Sequence, residues 1–140
     1  MNSDPNRMVI KLDNNGKRQK SVAVIGASND RAKYGNKAVR AYLLQGFRVY
    51  PVNPKAETIE GLKAYKSILD IEGEVDRASL YVPPKVGLKV IEEIAEKGVK
   101  ELYINPGAES DELVDKARKL GLDPILACSI LAVGKNPEID

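Results

Sequence analysis

Short apolar runs alternate along the chain with longer segments whose apolar residues recur every three or four positions. The runs cover residues 21–26, 47–52, 78–82, 99–104 and 124–128. Their apolar character and their Gly or Pro boundaries predict strands, and the first run, rich in β-branched residues and ended by Gly26, has the pattern of a strand buried on both faces of a sheet. The polar residues 1–20 are predicted to form an N-terminal arm, with a short edge strand at residues 8–12, beside a single domain at residues 21–140.

The segments that follow the first, third and fourth runs have helical spacing. Each carries apolar residues on one face and ends at a glycine, which caps a helix well because it has no Cβ atom. The apolar positions and the final glycines are Val39, Tyr42 and Leu43 before Gly46, Ile91, Ile94 and Ala95 before Gly98, and Leu113, Val114 and Ala117 before Gly121.

Strands that alternate with helices predict βαβ units around a parallel sheet. Because such crossovers are right-handed, we expect an α/β fold with three layers, in which helices cover both faces of a doubly wound, Rossmann-like, mainly parallel sheet. With the five strands numbered along the chain, the predicted order is about 3-2-1-4-5. Residues 53–76 are less regular and are predicted to hold a short helix near residues 67–70.

Composition and charge exclude several kinds of catalytic, metal-binding and interaction sites. The 140 residues include 22 Lys and Arg, 20 Asp and Glu, one Cys and no His. These counts exclude His-dependent nucleophile pairs, His metal ligands and an internal disulfide, so we predict no metal site. The net charge of +2 argues against a nucleic-acid or membrane surface, and no apolar run approaches the ~20 residues of a membrane helix. We therefore expect a cytoplasmic protein.

The loop after the first strand has the composition of a phosphate-binding turn. Gly26 allows backbone amides to approach an anion, Ser28 offers a hydroxyl, and the following helix contributes the positive end of its dipole. Arg31 and Lys33 add positive charge. An ordinary strand-to-helix turn remains the alternative, because the second Gly of the dinucleotide motif G-x-G-x-x-G is missing.

The loop after the second strand contains Lys55 and no acid. Proteins that bind NAD usually place an acid near this point, where it holds the ribose hydroxyls. A Lys suits instead a ribose that carries an extra phosphate. The alternative is that Pro51 and Pro54 only end the strand and that Lys55 is solvated.

The loops after the third and fourth strands contain Val82, Pro83 and Pro84, and then Asn105 and Gly107. A rigid apolar edge of Val and Pro suits a flat adenine ring. The alternative is helix initiation, since Pro is favourable in the first turn of a helix.

Together these loops resemble the small, stand-alone CoA-binding proteins, whose domain is similar to the N-terminal CoA-binding domain of the succinyl-CoA synthetase α subunit. The resemblance runs from about residue 21 to residue 128. It rests on GAS at 26–28, KYGN at 33–36, YPVNPK at 50–55, YVPP at 81–84 and NPGAES at 105–110. Asn105, which often corresponds to Gln, and the 128–134 end depart from the pattern of related proteins.

The resemblance implies that CoA or an acyl-CoA is the ligand. It implies that the first loop holds the CoA pyrophosphate, that residues 51–55 bracket the adenosine with Lys55 near the 3′-phosphate, that Val82 and Pro83 line the adenine, and that Gly107 lets pantetheine pass. The predicted binding residues are Gly26, Ala27, Ser28, Arg31, Lys33, Gly35, Asn36, Pro51, Val52, Asn53, Pro54, Lys55, Val82, Pro83 and Gly107.

Related synthetases carry phosphate on a His in a second domain, and these 140 residues contain no His. We therefore predict CoA binding without ligase chemistry and without catalytic residues, since Glu109 and Asp111 are better explained by a helix start. Cys128 either forms a mixed disulfide with the CoA thiol or is a structural thiol. The alternative functions are an NADP-like nucleotide-binding regulator and an accessory subunit of an acyl-CoA enzyme, with a protein partner or a second copy of the chain.

Overall fold

The computed structural model describes residues 18–128. The strands are β1 (Ser21–Ile25), β2 (Arg48–Val52), β3 (Thr58–Ile59), β4 (Leu62–Lys63), β5 (Arg77–Leu80), β6 (Glu101–Ile104) and β7 (Pro124–Leu126). The helices are α1 (Tyr34–Leu44), α2 (Pro84–Lys97), α3 (Asp111–Lys119) and a short 3₁₀ helix, Ile68–Asp70. The predicted edge strand at residues 8–12 lies outside the described residues.

The main sheet has five parallel strands in the order β2-β1-β5-β6-β7, and the predicted α/β class is confirmed. Strands β3 and β4 form a separate antiparallel hairpin. The strand order differs from the predicted 3-2-1-4-5 in one position, because β5, the third strand of the main sheet along the chain, lies beside β1 instead of outside β2.

Two sets of hydrogen bonds explain the position of β5. The outer edge of β2 is already occupied, because Tyr65 donates its amide to the Pro51 carbonyl at 2.8 Å and accepts from the Asn53 amide at 2.8 Å. At the start of β5, the Ser21 amide donates to Asp76 Oδ2 at 2.8 Å, and the Asp76 amide donates to Ser21 Oγ at 3.0 Å. These bonds fix the beginning of β5 beside the beginning of β1.

Strands β1, β2 and β5 are buried on both faces, as the first apolar run predicts, whereas Ile125 and Leu126 of β7, at the edge of the main sheet, are 42% and 54% exposed. In β1, Val22 and Val24 pack toward α1, while Ala23 and Ile25 pack into the cluster that contains Ile91 of α2. Because successive side chains of a strand point to opposite faces, one short strand contributes to both halves of the core.

The ends of the helices follow the predicted signals. Gly46, Gly98 and Gly121 have φ angles of 84°, 80° and 86°, in the left-handed region that ends helices. Ser110 caps α3 by accepting a hydrogen bond from the Leu113 amide at 3.1 Å. The predicted short helix is confirmed at Ile68–Asp70, where Ser67 Oγ accepts from the Leu69 amide. Across residues 18–128, none of the helices combines the length and the apolar character that a membrane crossing requires.

Candidate functional site

A cavity of about 390 Å³ opens at the carboxyl end of the main sheet. Three of the four loops that the sequence places at this edge meet there, following β1, β5 and β6. The residues that line the cavity are Gly26, Lys33, Tyr34, Gly35, Tyr81, Val82, Pro83, Pro106, Gly107 and Ala108. Its walls are mainly apolar, with Lys33 as a cation among them.

Two glycines allow the backbones around the cavity to approach closely. Gly26 has a φ of 95°, and a Cβ atom there would lie 2.9 Å from the Tyr81 carbonyl carbon and 3.1 Å from Val82 Cγ1. A Cβ atom on Gly35 would lie 2.1 Å from the Gly26 carbonyl oxygen. The first turn of α1 therefore packs directly on the backbone of the loop that follows β1.

The loop between β1 and α1 is built from consecutive turns. Ser28 Oγ accepts from the Asp30 amide at 3.0 Å, Asp30 Oδ1 accepts from the Ala32 amide at 3.0 Å, and the Lys33 amide donates to the Asp30 carbonyl at 3.0 Å. A hydroxyl that accepts a hydrogen bond can still donate its own proton. Ser28 therefore keeps a donor for a ligand oxygen.

The N-terminus of α1 at the cavity is favourable for an anion. Lys33 precedes the helix without a side-chain cap, and no acidic residue lies in the first turn. The helix dipole therefore adds its positive end to the charge of Lys33. Lys37 lies one turn further along the helix, with its Nζ atom 5.1 Å from the centroid of the Tyr34 ring.

Asn36 is fully buried behind this loop and makes protein contacts. Its Nδ2 donates to the Ser28 carbonyl at 2.8 Å and to Glu60 Oε2 at 3.0 Å, and its Oδ1 accepts from Arg40 Nε at 2.8 Å. Arg40 also donates to the Arg31 carbonyl at 2.8 Å. Asn36 thus fixes the loop from within.

The loop after β2 is joined to the same edge without lining the cavity. Asn53 Nδ2 donates to the Ala27 carbonyl at 2.9 Å, and Asn53 Oδ1 accepts from the Lys55 amide at 2.8 Å. Asn53 therefore ties this loop to the end of β1 and forms the turn that carries the exposed Lys55.

The opposite, amino end of the sheet is closed by packed side chains. The Arg77 guanidinium lies 4.6 Å from the centroid of the Tyr103 ring and 5.4 Å from that of Phe47, and Arg77 Nε lies 3.2 Å from Glu101 Oε1. Burial raises the pKa of Tyr42, which accepts a hydrogen bond from Arg77 at 3.3 Å, above its ordinary value of 10.0.

The structure brings only part of the predicted site together around the cavity. Of the predicted residues, the lining includes Gly26, Lys33, Gly35, Val82, Pro83 and Gly107. Others lie behind or beside the cavity: Ala27 and Val52 are buried in the core, and Arg31 and Lys55 are exposed. Cys128 is partly buried against the cluster on the α1 face.

The predicted list of binding residues leaves out two groups of residues at this edge. The first group lines the cavity and lies within the motifs that carry the resemblance; it consists of Tyr34, Tyr81, Pro106 and Ala108. The second is the β3–β4 hairpin, whose Glu60 contacts Asn36. The alternation of Thr58, Ile59, Leu62 and Lys63 around the Glu60-Gly61 pair is the signal that would have indicated a hairpin there.

The sequence matches a family model over residues 20–134, and the description of that family is CoA binding domain. Among curated proteins, the chain is 42% identical over 116 residues to the α subunit of acetate–CoA ligase [ADP-forming] II from Pyrococcus furiosus, covering 74% of this chain and 25% of that protein. The chain spans a quarter or less of the length of this and two similar archaeal ligases.

Solved structures show the same architecture. A conserved hypothetical protein from Pyrococcus furiosus aligns with a TM-score of 0.74 and 41% identity, over 81% of this chain and 98% of that one. The dinucleotide-forming acetyl-coenzyme A synthetase 1 of Ca. Korarchaeum cryptofilum, solved with phosphate and ADP, aligns with a TM-score of 0.68 and 32% identity, over 77% of this chain and 25% of that one. Similar folds therefore occur in chains of about this size and within much larger proteins.

Proposed function

The chain belongs to the CoA binding domain family, and we propose that it binds coenzyme A or an acyl-CoA at the carboxyl edge of its main sheet. The observation that carries this proposal is the cavity enclosed by the loops after β1, β5 and β6. It joins Lys33 and a helix N-terminus that has no side-chain cap and no acid in its first turn to apolar walls. An elongated ligand with phosphates and apolar parts fits this combination of surfaces.

The pyrophosphate is assigned to the loop between β1 and α1. Its support is the positive end of α1, the Lys33 ammonium, and the hydroxyl of Ser28. Gly26 and Gly35 would contribute by keeping the backbone free of side chains at the closest approach. Arg31, which is 66% exposed, adds a cation at the rim of the loop.

The other parts of CoA are assigned to the neighbouring loops. Lys55, carried by the Asn53 turn, would lie near the 3′-phosphate, and Pro51 and Pro54 would bracket the adenosine. Val82 and Pro83 supply an apolar wall for the adenine, and Gly107, whose φ is 91°, leaves room for pantetheine.

We propose further that these 140 residues have no ligase activity of their own. The argument is chemical, because the sequence contains no His to carry phosphate. The similar ligases are much longer, which favours a second candidate function, the CoA-binding part of an acyl-CoA ligase assembled with a protein partner. A cytoplasmic location likewise remains a prediction.

A coupled assay for ADP release from ATP, acetate and CoA tests the first of these statements. The chain alone should give no more ADP than the reaction without protein. Turnover by the purified chain would contradict the absence of ligase chemistry while leaving CoA binding intact.

Titration calorimetry with CoA, 3′-dephospho-CoA and NADP tests the ligand. We expect CoA to bind more tightly than 3′-dephospho-CoA by about tenfold, the size of a charge-assisted hydrogen bond. Lys55→Gln should abolish this difference, because it removes the cation and keeps a similar length. Heat with NADP and none with CoA would instead identify an NADP-like nucleotide as the ligand.

A further inference from the structure

The turn of the β3–β4 hairpin contains Glu60 in a backbone conformation that is unfavourable for a residue with a side chain. Glu60 and Gly61 connect the paired residues Ile59 and Leu62, with φ angles of 51° and 79°. Two positive φ angles define a two-residue turn of type I′, in which Asn or Gly is preferred at the first position. Within residues 18–128, Glu60 is the one non-glycine residue with a positive φ.

The hairpin is anchored against the loop between β1 and α1. Ile59 is fully buried in the cluster that includes Ala27 and Ala38. Asn29 Nδ2 donates to the Thr58 carbonyl at 3.0 Å, which joins the loop to β3. The turn that carries Glu60 is therefore held beside the proposed pyrophosphate loop.

The Glu60 carboxylate completes the contacts of a buried amide. Glu60 Oε2 accepts from Asn36 Nδ2 at 3.0 Å, while the same Asn36 nitrogen donates to the Ser28 carbonyl at 2.8 Å. Without Glu60, the fully buried side-chain amide of Asn36 would lose one of its hydrogen-bond partners. Leaving a buried donor without that partner is costly, so the side chain and the loop that it holds would be expected to shift. Glu60 Oε2 also lies 3.5 Å from Arg31 Nε.

We propose that Glu60 is a positioning residue for the anion-binding loop, acting through Asn36 on the Ser28 carbonyl and through Arg31; this role rests on the proposed CoA binding. A strained backbone and a carboxylate near an anion site are both unfavourable taken alone. Their presence together is explained if the carboxylate sets the geometry of the loop. The Asn36 bond carries most of the effect, since the ion pair with the 66% exposed Arg31 contributes little.

Three substitutions separate positioning from a purely structural role. Glu60→Ala and Glu60→Asn both remove the contact, since Asn is one carbon shorter than Glu, but only Asn suits a left-handed turn. Glu60→Gln keeps an acceptor oxygen at the same reach. Glu57→Ala is the matched control, because it removes an equal charge from an exposed residue just before β3.

The measurements are CoA affinity by calorimetry and the thermal unfolding midpoint of the full chain. We expect affinity to fall about tenfold in both Glu60→Ala and Glu60→Asn, although the midpoint should fall less in Glu60→Asn. Glu60→Gln and Glu57→Ala should bind within about twofold of the unmutated chain.

If the losses of CoA affinity in Glu60→Ala and Glu60→Asn are in proportion to the losses in their thermal unfolding midpoints, the positioning role is overturned in favour of a structural one. Unchanged affinity in both variants would overturn it outright, with CoA binding intact. A failure of the unmutated chain to bind CoA would instead overturn the proposed function and this role together.

Discussion

Replacing Gly35 with Ala tests the close contact between α1 and the loop that follows β1. The new Cβ atom would lie 2.1 Å from the Gly26 carbonyl oxygen and 3.3 Å from the Ala27 Cα atom. Ordinary van der Waals contact begins at 3.4 Å, so the helix and the loop would have to separate by about 1.3 Å. The opposing atom belongs to the backbone, and no side-chain rotation relieves the clash.

The energetic cost follows from this geometry. Overpacking a closely packed region typically costs about 1–3 kcal/mol, and a backbone-to-backbone clash belongs near the upper end. Ala favours a helix over Gly by up to about 1 kcal/mol, which offsets part of that loss. We therefore expect Gly35→Ala to lower the free energy of unfolding by about 2 kcal/mol and, by displacing the proposed pyrophosphate loop, to weaken CoA binding at least about tenfold.

Urea unfolding and calorimetry with CoA provide the two measurements. Gly46→Ala is the control, because Gly46 has a φ of 84° but no heavy atom within 4 Å of the position that a Cβ atom would take. That variant should lose about 1 kcal/mol through backbone strain alone and keep its CoA affinity. Unchanged CoA affinity in Gly35→Ala, with stability within the ~0.5 kcal/mol of neutral surface substitutions, would refute the backbone contact.

Two further predictions concern stability. Burial alone would raise the pKa of Asp76, but hydrogen bonds from Ser21 and Arg18 outweigh it and hold that pKa below its ordinary value of 3.8, so the stability that the carboxylate contributes should be lost as the pH falls through the lowered pKa. Urea unfolding at pH 7 and below pH 4 should therefore show that Asp76→Asn loses less unfolding free energy in acid than the unmutated chain does. Parallel pH profiles for the two proteins would contradict the assignment. Asn105→Ala removes two hydrogen bonds of 2.9 Å, one to Ser79 Oγ and one to the Leu80 carbonyl of β5. We expect the free energy of unfolding, measured in urea, to fall by about 2 kcal/mol. Stability equal to that of the unmutated chain would contradict this expectation.

The fold was largely predictable because its signals are local. The buried runs and the glycines at 46, 98 and 121 each depend on a few neighbouring residues. The position of β5 was not predictable in the same way, since it depends on Tyr65 occupying the edge of β2 and on Ser21 bonding to Asp76, contacts between distant parts of the chain. The periodicity of a strand does not specify its neighbour.

The candidate site shows the same division between local and long-range signals. The backbone features around Gly26, Val82 and Gly107 follow from where the strands end, and the cavity contains all three. The role of Glu60 depends instead on a hairpin of two-residue strands that docks beside Asn36, and no short sequence motif links the two residues. The alternation around the turn indicates a hairpin, but it does not indicate which distant part of the chain the hairpin contacts.

The three helices that begin at the carboxyl edge differ in how their N-termini are satisfied. Ser110 caps α3, and Asp111 and Glu112 add negative charge to its first turn. Neither α1 nor α2 has a side-chain cap or an acid in its first turn, and residues at both of these helix starts line the cavity. A bound anion would complete the N-terminus of α1 as Ser110 completes that of α3, whereas Pro84 at the start of α2 already lacks an amide proton. This difference supports the proposal that the phosphates of CoA bind at α1 and its apolar part on the α2 side, and the Gly35 and Glu60 variants test the α1 half of that proposal.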